Sequence, residues 1–408
     1  MNEICNKTEC TACGACINAC PWGCITMQRD PLDAIFPVID HNICVNCGIC
    51  KKVCPNKNKV AYNETQKVYA SWSKDEIIRK KSASGGIAAE LYLRYIALGE
   101  EGFAVGVQFD EDYNAIYKQV KDLHDLCNVQ NSKYVYSNTL SVFKDIKDKL
   151  KDGIQVLFVG LPCQVSGLYS YLKKEYLNLL TIDLVCHGVA PSEYLKQHIR
   201  KIEDERNDKT KALSFRDWRY YTYTYTFTLE NIRREVFYKR KVYEDDVYQL
   251  GYHNALIYRE NCYKCKYAQR KRVGDLTLCD FTSVGTYAPF NYDKNKVSCI
   301  LVNTDKGSKA LSVLRNRLFL EERPLGEIFD FESQLNLPYA PHRNRQIFIE
   351  QYRKSKNFEY AAKTALKDEI NRYYYSKSLW GRLTNGLKYP IQIGIRLVKI
   401  IKKKYNAE

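Results

Sequence analysis

The chain has 408 residues, with 63 Lys+Arg against 47 Asp+Glu and a formal net charge of +16. Beyond a small N-terminal module, roughly 350 residues remain, enough for two further units with real cores. No apolar run reaches the length of a membrane span, no nucleic-acid motif accompanies the basic balance, and Met1–Cys5 reads as no signal peptide. Ten of the 17 cysteines fall within the first 54 residues, in a pattern that calls for a reducing compartment, so a cytoplasmic location is expected.

Those cysteines form two runs. Cys10, Cys13, Cys16 and Cys20 precede Pro21, and Cys44, Cys47, Cys50 and Cys54 precede Pro55. Both read C-x2-C-x2-C-x3-C-P, the bacterial spacing for paired 4Fe–4S clusters. Three thiolates on one tight loop cap three irons of a cubane. The fourth, starting a short helix that points away, serves the other cluster. Cys10, Cys13, Cys16 and Cys54 are therefore expected to hold one cluster, and Cys44, Cys47, Cys50 and Cys20 the second. A zinc site or a disulfide framework is the alternative, but zinc sites usually pair C-x2-C knuckles without the trailing Cys-Pro, and two identical runs argue against chance. Residues 1–62 thus resemble a bacterial two-cluster ferredoxin, with a hairpin strand around Ile35–Asp40 covering the clusters.

Val60–Asp75 reads as a linker carrying Tyr62, Tyr69 and Trp72. The basic, Ser/Gly-rich stretch Arg79–Gly86 then opens into a predicted helix, with Ile87, Leu91, Tyr95 and Leu98 at helical spacing. Ser84 as a cap and bare glycine N–H groups would suit a phosphate; an ordinary capped helix is the alternative. Gly102–Val107 reads as a strand.

Strands at Ile154–Val159 and Leu177–Val185, with helices at Val165–Lys174 and Pro191–Ile202, predict a parallel sheet with right-handed crossovers. Cys163 and Cys186 directly follow strand ends, where ligands gather in open α/β sheets. Tyr221, Tyr223, Tyr225 and Phe227 alternate with threonines, as in an antiparallel strand with one aromatic face. Such a face serves either sheet packing or stacking on a planar ligand. Cys262 and Cys265 add a further C-x2-C before a strand that ends near Asp280. Ser298–Asn303 reads as a strand and Gly307–Arg317 as a helix, and the chain is helical and basic after about residue 345.

Five motifs then occur in one order: Lys81–Gly86, Gly160-Leu161-Pro162-Cys163-Gln164, Asp183–Gly188, Cys262–Cys265 and Asp275–Phe281. Together they resemble the coenzyme F420 hydrogenase/dehydrogenase beta-subunit family over roughly residues 75–315. The expected fold class is α+β/α/β: the ferredoxin-type module (1–62), a mixed α/β flavin-binding core and a helical C-terminal tail. The core divides into an N-terminal-like part (75–150) and a C-terminal-like part (153–320), and the basic tail covers 340–408. The resemblance implies a flavin, FAD or FMN, held through Ser82, Ser84, Gly85 and Gly86. It implies a third 4Fe–4S cluster on Cys163, Cys186, Cys262 and Cys265, for which buried structural thiols are the alternative. Cys279 stands where the family has glycine, as a spare thiol or a substitute ligand. Cys5, Cys24, Cys127 and Cys299 match no role.

His187 and Asp280 are the candidate catalytic residues, with Arg216 of similar standing near the flavin. His187 would give a proton to flavin or substrate, since histidine titrates near neutrality; a loop-fixing hydrogen bond is the alternative. In the tail, Ile393, Leu397, Ile400 and Ile401 share one side of a basic stretch, Ile391–Lys404. That helix would lie on an anionic membrane or dock on the protein itself.

The function expected is an iron–sulfur flavoprotein oxidoreductase. It would pass electrons between clusters and a flavin that exchanges hydride with an organic or deazaflavin (F420-like) substrate. A non-catalytic electron-transfer subunit is the alternative. Expected partners are a redox protein or small electron carrier and a small-molecule hydride acceptor, with no nucleic acid. The Lys-, Asn-, Ile- and Tyr-rich composition is common in AT-rich bacterial genomes, many not expected to make F420, and the family resemblance there implies a sugar or polyprenyl-linked substrate as a further alternative.

Overall fold

The computed structural model describes residues 3–220 and 225–378. Its N-terminal module repeats one backbone motif. Ala12 and Asn46 take positive φ (51° and 57°), and Gly14 and Gly48 follow at 84° and 73°. The left-handed residues fold each run into a loop, and each glycine opens a short helix, Ala15–Ala19 or Ile49–Lys52. Between the runs lies the expected hairpin, β1 (Ile25–Arg29) antiparallel to β2 (Ile35–Ile39).

The core is a nine-stranded mixed sheet. It begins with β3 (Lys67–Ser73), β4 (Gly102–Phe109), β5 (Ala115–Val120), β6 (Ser137–Asn138), β7 (Gln155–Gly160) and β8 (Leu179–Leu184). The chain then leaves to build a small antiparallel sheet of β9 (Ala212–Ser214), β10 (Thr226–Glu230) and β11 (Val236–Lys241). It returns as β12 (Leu276–Asp280), β13 (Ser298–Val302) and β14 (Leu318–Arg323). The spatial order is β14-β3-β13-β12-β8-β7-β4-β5-β6.

The parallel sheet expected from the sequence is the middle of this one. β12, β8, β7 and β4 are parallel, flanked by antiparallel β13 and β5. β3 is antiparallel to β13, so it runs with β12. The carboxyl ends of β3, β12, β8, β7 and β4 therefore share one edge, the edge where α/β sheets bind ligands.

The stretch read as a linker needs correction, because Lys67–Ser73 is a strand of the sheet. Val68 and Ala70 are fully buried between β13 and β14, and these partners lie more than 200 residues away. The Tyr/Thr alternation becomes a strand only from Thr226, and residues 221–224 lie outside the described part.

One sheet face packs on the helix Ile87–Ala97. The opposite face packs on the helices Val142–Lys151 and Pro162–Leu172, and the N-terminal module docks there. Cys13, Ala15 and Val53 share an apolar cluster with Val165 and Leu168. Each fully buried Val or Leu there contributes roughly 1.5–3 kcal/mol. A third core gathers the helices Ser192–Arg206, Val247–His253, Arg345–Ser355 and Phe358–Ala365 around the small sheet. The helix Lys367–Lys377 follows, and the basic stretch Ile391–Lys404 lies outside the described residues. Among the described residues, no helix is long and apolar enough to cross a membrane.

Candidate functional site

The structure brings cysteines of the two runs together. Cys13 and Cys16 each feel the charges of Cys10 and Cys54, so the fourth cysteine of the second run joins the first three of the first. Cys20 lines one recess with Cys44, Cys47 and Cys50. A single zinc ion would draw its sulfurs to within about 4 Å of one another, given Zn–S bonds of about 2.3 Å. Among the described residues, no three cysteine sulfurs lie within 4.8 Å of one another.

The inner set is pressed against the core. Asn18 Nδ2 donates to Leu140 O (2.8 Å), Tyr136 Oη to Ala12 O (2.8 Å) and Lys266 Nζ to Pro55 O (2.6 Å). The buried Arg259 guanidinium donates to Cys10 O (3.2 Å) and Ile35 O (2.8 Å). The outer set faces solvent: Cys47 is exposed, and Trp22, Ile43 and Val45 form an exposed apolar rim.

Cys163, Cys186, Cys262 and Cys265 line one cavity, together with His187. The packing explains the motifs around them. Pro162 opens the helix at its first position, where no N–H is needed. Gln164 locks that turn: its Oε1 accepts from the Leu161 N–H (3.2 Å) and Tyr117 Oη (2.8 Å), and its Nε2 donates to Ser137 O (2.9 Å). At the end of β8, Asp183 accepts from Arg272 Nη2 (2.9 Å) and from the Gly274 N–H (2.9 Å). Arg272 also donates to Tyr267 O (3.0 Å), which pins the Cys265 loop beside Cys186. Burial pushes all four thiols up, Cys262 to about 11. Four desolvated thiols ionise only when metal supplies positive charge, so the donor set fits iron.

Further along the same edge, Arg216 and Asp280 pair at 2.8 Å. Arg216 also donates to Tyr134 Oη (2.6 Å) and Ala83 O (3.3 Å), and its guanidinium lies 3.7 Å from the Tyr225 ring centroid. Tyr225 Oη donates to Asp280 (2.6 Å). Burial opposes the Asp280 charge, but Arg216 and the hydroxyls of Tyr225 and Ser84 outweigh it and hold its carboxyl below the usual range. Ser84, from the loop ahead of the helix Ile87–Ala97, thus meets Asp280 at the end of β12.

The Ser82–Gly86 loop departs from expectation in detail. Gly86, at φ 89°, is the helix cap, and Ser84 makes no cap bond. The one Ser84 hydroxyl hydrogen has Val297 O (3.2 Å) and Asp280 as alternative acceptors. The Gly85 N–H is taken by Ser298 Oγ (2.8 Å), and a Cβ on Gly85 would sit 2.4 Å from Ser71 O. Gly85 is there for close approach to β3, not as a free phosphate donor. Ser82 Oγ accepts from Gln130 Nε2 (3.4 Å). The loop offers a cradle beside Arg216 and Lys296, whose Nζ donates to Ser82 O (2.7 Å).

His187 also departs from expectation. Burial, with the Arg216 charge adding to it, lowers its pKa to about 4, so the imidazole is neutral at neutral pH. Its ring lies against Tyr339 at 5.4 Å. Sequence reasoning missed Tyr134 and His253. Burial lowers the His253 pKa to about 3, and among the described residues its buried Nε2 has no hydrogen-bond partner. No local signal marks either residue; only the fold brings them to Arg216.

Three family models match the chain. The C-terminal model of the coenzyme F420 hydrogenase/dehydrogenase beta subunit matches residues 154–327, and the N-terminal model of the same family matches 68–144. A 4Fe-4S dicluster domain matches residues 9–58. A subunit of the F(420)H(2) dehydrogenase of Methanosarcina mazei is 26% identical over 45% of this chain and 55% of its own length. The coenzyme F420-dependent sulfite reductase of Methanocaldococcus jannaschii is 28% identical over 41% of this chain and 26% of its own length. The chain thus spans about half, or less, of these curated relatives. A chain of the F420-reducing NiFe hydrogenase complex from Methanosarcina barkeri aligns over 76% of this chain and 91% of its own, at 16% identity and a TM-score of 0.43. The chain belongs to the coenzyme F420 hydrogenase/dehydrogenase beta-subunit family and carries a 4Fe–4S dicluster domain on its N-terminal side.

Proposed function

We propose that the chain is an iron–sulfur flavoprotein oxidoreductase that exchanges hydride with an organic or deazaflavin substrate. The observation that carries this reading is the succession of its sites: an outer cysteine set with Cys47 at the surface, an inner set against the core, a third set on the carboxyl edge, and the Arg216–Asp280 cradle beyond it. Clusters held by Cys44, Cys47, Cys50 and Cys20, by Cys10, Cys13, Cys16 and Cys54, and by Cys163, Cys186, Cys262 and Cys265 would carry single electrons, and a flavin would pair them as hydride.

The chain's own residues do the rest. Arg216 presents a fixed positive charge for a flavin's anionic parts, and Asp280 and Tyr134 hold it in place. Neutral His187, set against Tyr339, lines the third cysteine site and does not act as an imidazolium acid. Trp22, Ile43 and Val45 frame the surface on which a redox partner would dock. A cytoplasmic setting follows from the reduced thiols this requires.

Anaerobic purification, followed by denaturation and spectroscopy of the released cofactor, tests the proposal. A stoichiometric flavin, with bleaching of the protein's absorbance by reduced F420 or a comparable hydride donor, is expected. Absence of flavin would leave the non-catalytic electron-transfer role as the better reading.

A further inference from the structure

Two cysteines outside the expected ligand sets touch those sets at matching places. The Cys24 sulfur lies 3.3 Å from Cys20 Sγ and lines one recess with Cys44. The Cys5 thiol neighbours Cys10 and Cys54. In each case the contacts are to the first cysteine of one run and the fourth of the other, the two ligands supplied to one cluster by different runs. Cys5 precedes its run by five residues and Cys24 follows its run by four, so no sequence repeat imposes the match. Both are packed into the apolar cluster that contains the ligand cysteines, Cys24 with 4% exposure.

We propose that Cys5 and Cys24 are positioning residues that donate S–H···S hydrogen bonds to cluster ligands and raise the reduction potential of one cluster each. Hydrogen bonds to the sulfurs are among the levers that set such potentials. Reduction adds negative charge to a cluster that is already anionic, and a donor stabilises the more negative state more. The effect is local: Cys5 serves the inner set, Cys24 the outer one.

The inference rests on reading the two runs as cluster sites, and iron and sulfide analysis of the full-length protein checks that reading separately. The test is a redox titration followed by electron paramagnetic resonance on Cys5→Ala, Cys5→Ser, Cys24→Ala and Cys24→Ser. Each alanine variant is expected to keep its iron content and to lower the midpoint of a single signal, a different one for each position. Each serine variant, with a hydroxyl donor, is expected to keep the wild-type midpoint or exceed it. Unchanged midpoints in both alanine variants would overturn the proposal. Loss of one cluster's iron in an alanine variant would overturn it too, because that cysteine would then be a ligand.

Discussion

Cys13 of the N-terminal module rests directly on Gly167, one turn along the helix that carries Cys163. A Cβ on Gly167 would lie 2.9 Å from the Cys13 Sγ. The absent side chain lets the inner cysteine set approach the third set, and Cys163 feels the Cys13 charge. In Gly167→Ala the methyl group can be accommodated only if Cys13 moves, yet Cys13 is fixed if it holds a cluster. Overpacking of this kind costs about 1–3 kcal/mol. The substitution should lower the urea midpoint and slow electron transfer from the N-terminal clusters to the core, measured by stopped-flow reduction; unchanged values would contradict the contact.

Asp280→Asn tests the cradle. It leaves the Arg216 charge without its carboxylate, and breaking a buried pair costs about 3–5 kcal/mol. Asp280 keeps 27% side-chain exposure, so the lower end is expected. Denaturant unfolding should register the loss, and retained flavin should fall with it.

Acid should destabilise the fold through His187 and His253. Their folded pKa values, about 4 and about 3, lie below the unfolded value of about 6.5. Unfolding therefore takes up protons between those limits. Stability should be full above about pH 6.5 and fall as pH drops toward 4. A His187→Gln variant should show a shallower fall in a melting-temperature series between pH 7 and 4.

His198 gives the opposite slope on the alkaline side. Burial alone would lower its pKa, but Asp246, 3.0 Å from Nε2, and Glu359, bonded to Nδ1, overcome burial and raise it to about 10. A raised folded pKa gives stability that is full below the unfolded value of about 6.5 and lost as pH rises through about 10. His198→Gln should flatten the decline between pH 7 and 10, and should lower stability at pH 7 by roughly 3 kcal/mol, because the buried Asp246 loses its cation. A wild-type stability flat to pH 10 would contradict the buried imidazolium.

What was legible in the sequence followed from whether the signal was local. The two cysteine runs carry their geometry within eleven residues each, so the crossed assignment of Cys20 and Cys54 could be drawn from spacing alone. Cys163 and Cys186 were placed on one edge because each follows an apolar strand. Lys67–Ser73 was missed because its burial is supplied by β13 and β14, far along the chain. Ser84 looked like a cap, but the Val297 carbonyl and Asp280 are the acceptors for its hydroxyl. The neutrality of His187 depends on burial and on Arg216, and neither is visible around residue 187.

The most direct measurement is the metal and flavin content of the full-length protein purified without oxygen. With Cys163, Cys186, Cys262 and Cys265 holding a third cluster as proposed, about twelve irons and twelve acid-labile sulfides per chain are expected, with one flavin. Replacing Cys186 with serine should remove about four irons and leave the N-terminal clusters in place. About eight irons in the wild-type protein, unchanged by that substitution and unaccompanied by flavin, would contradict the account.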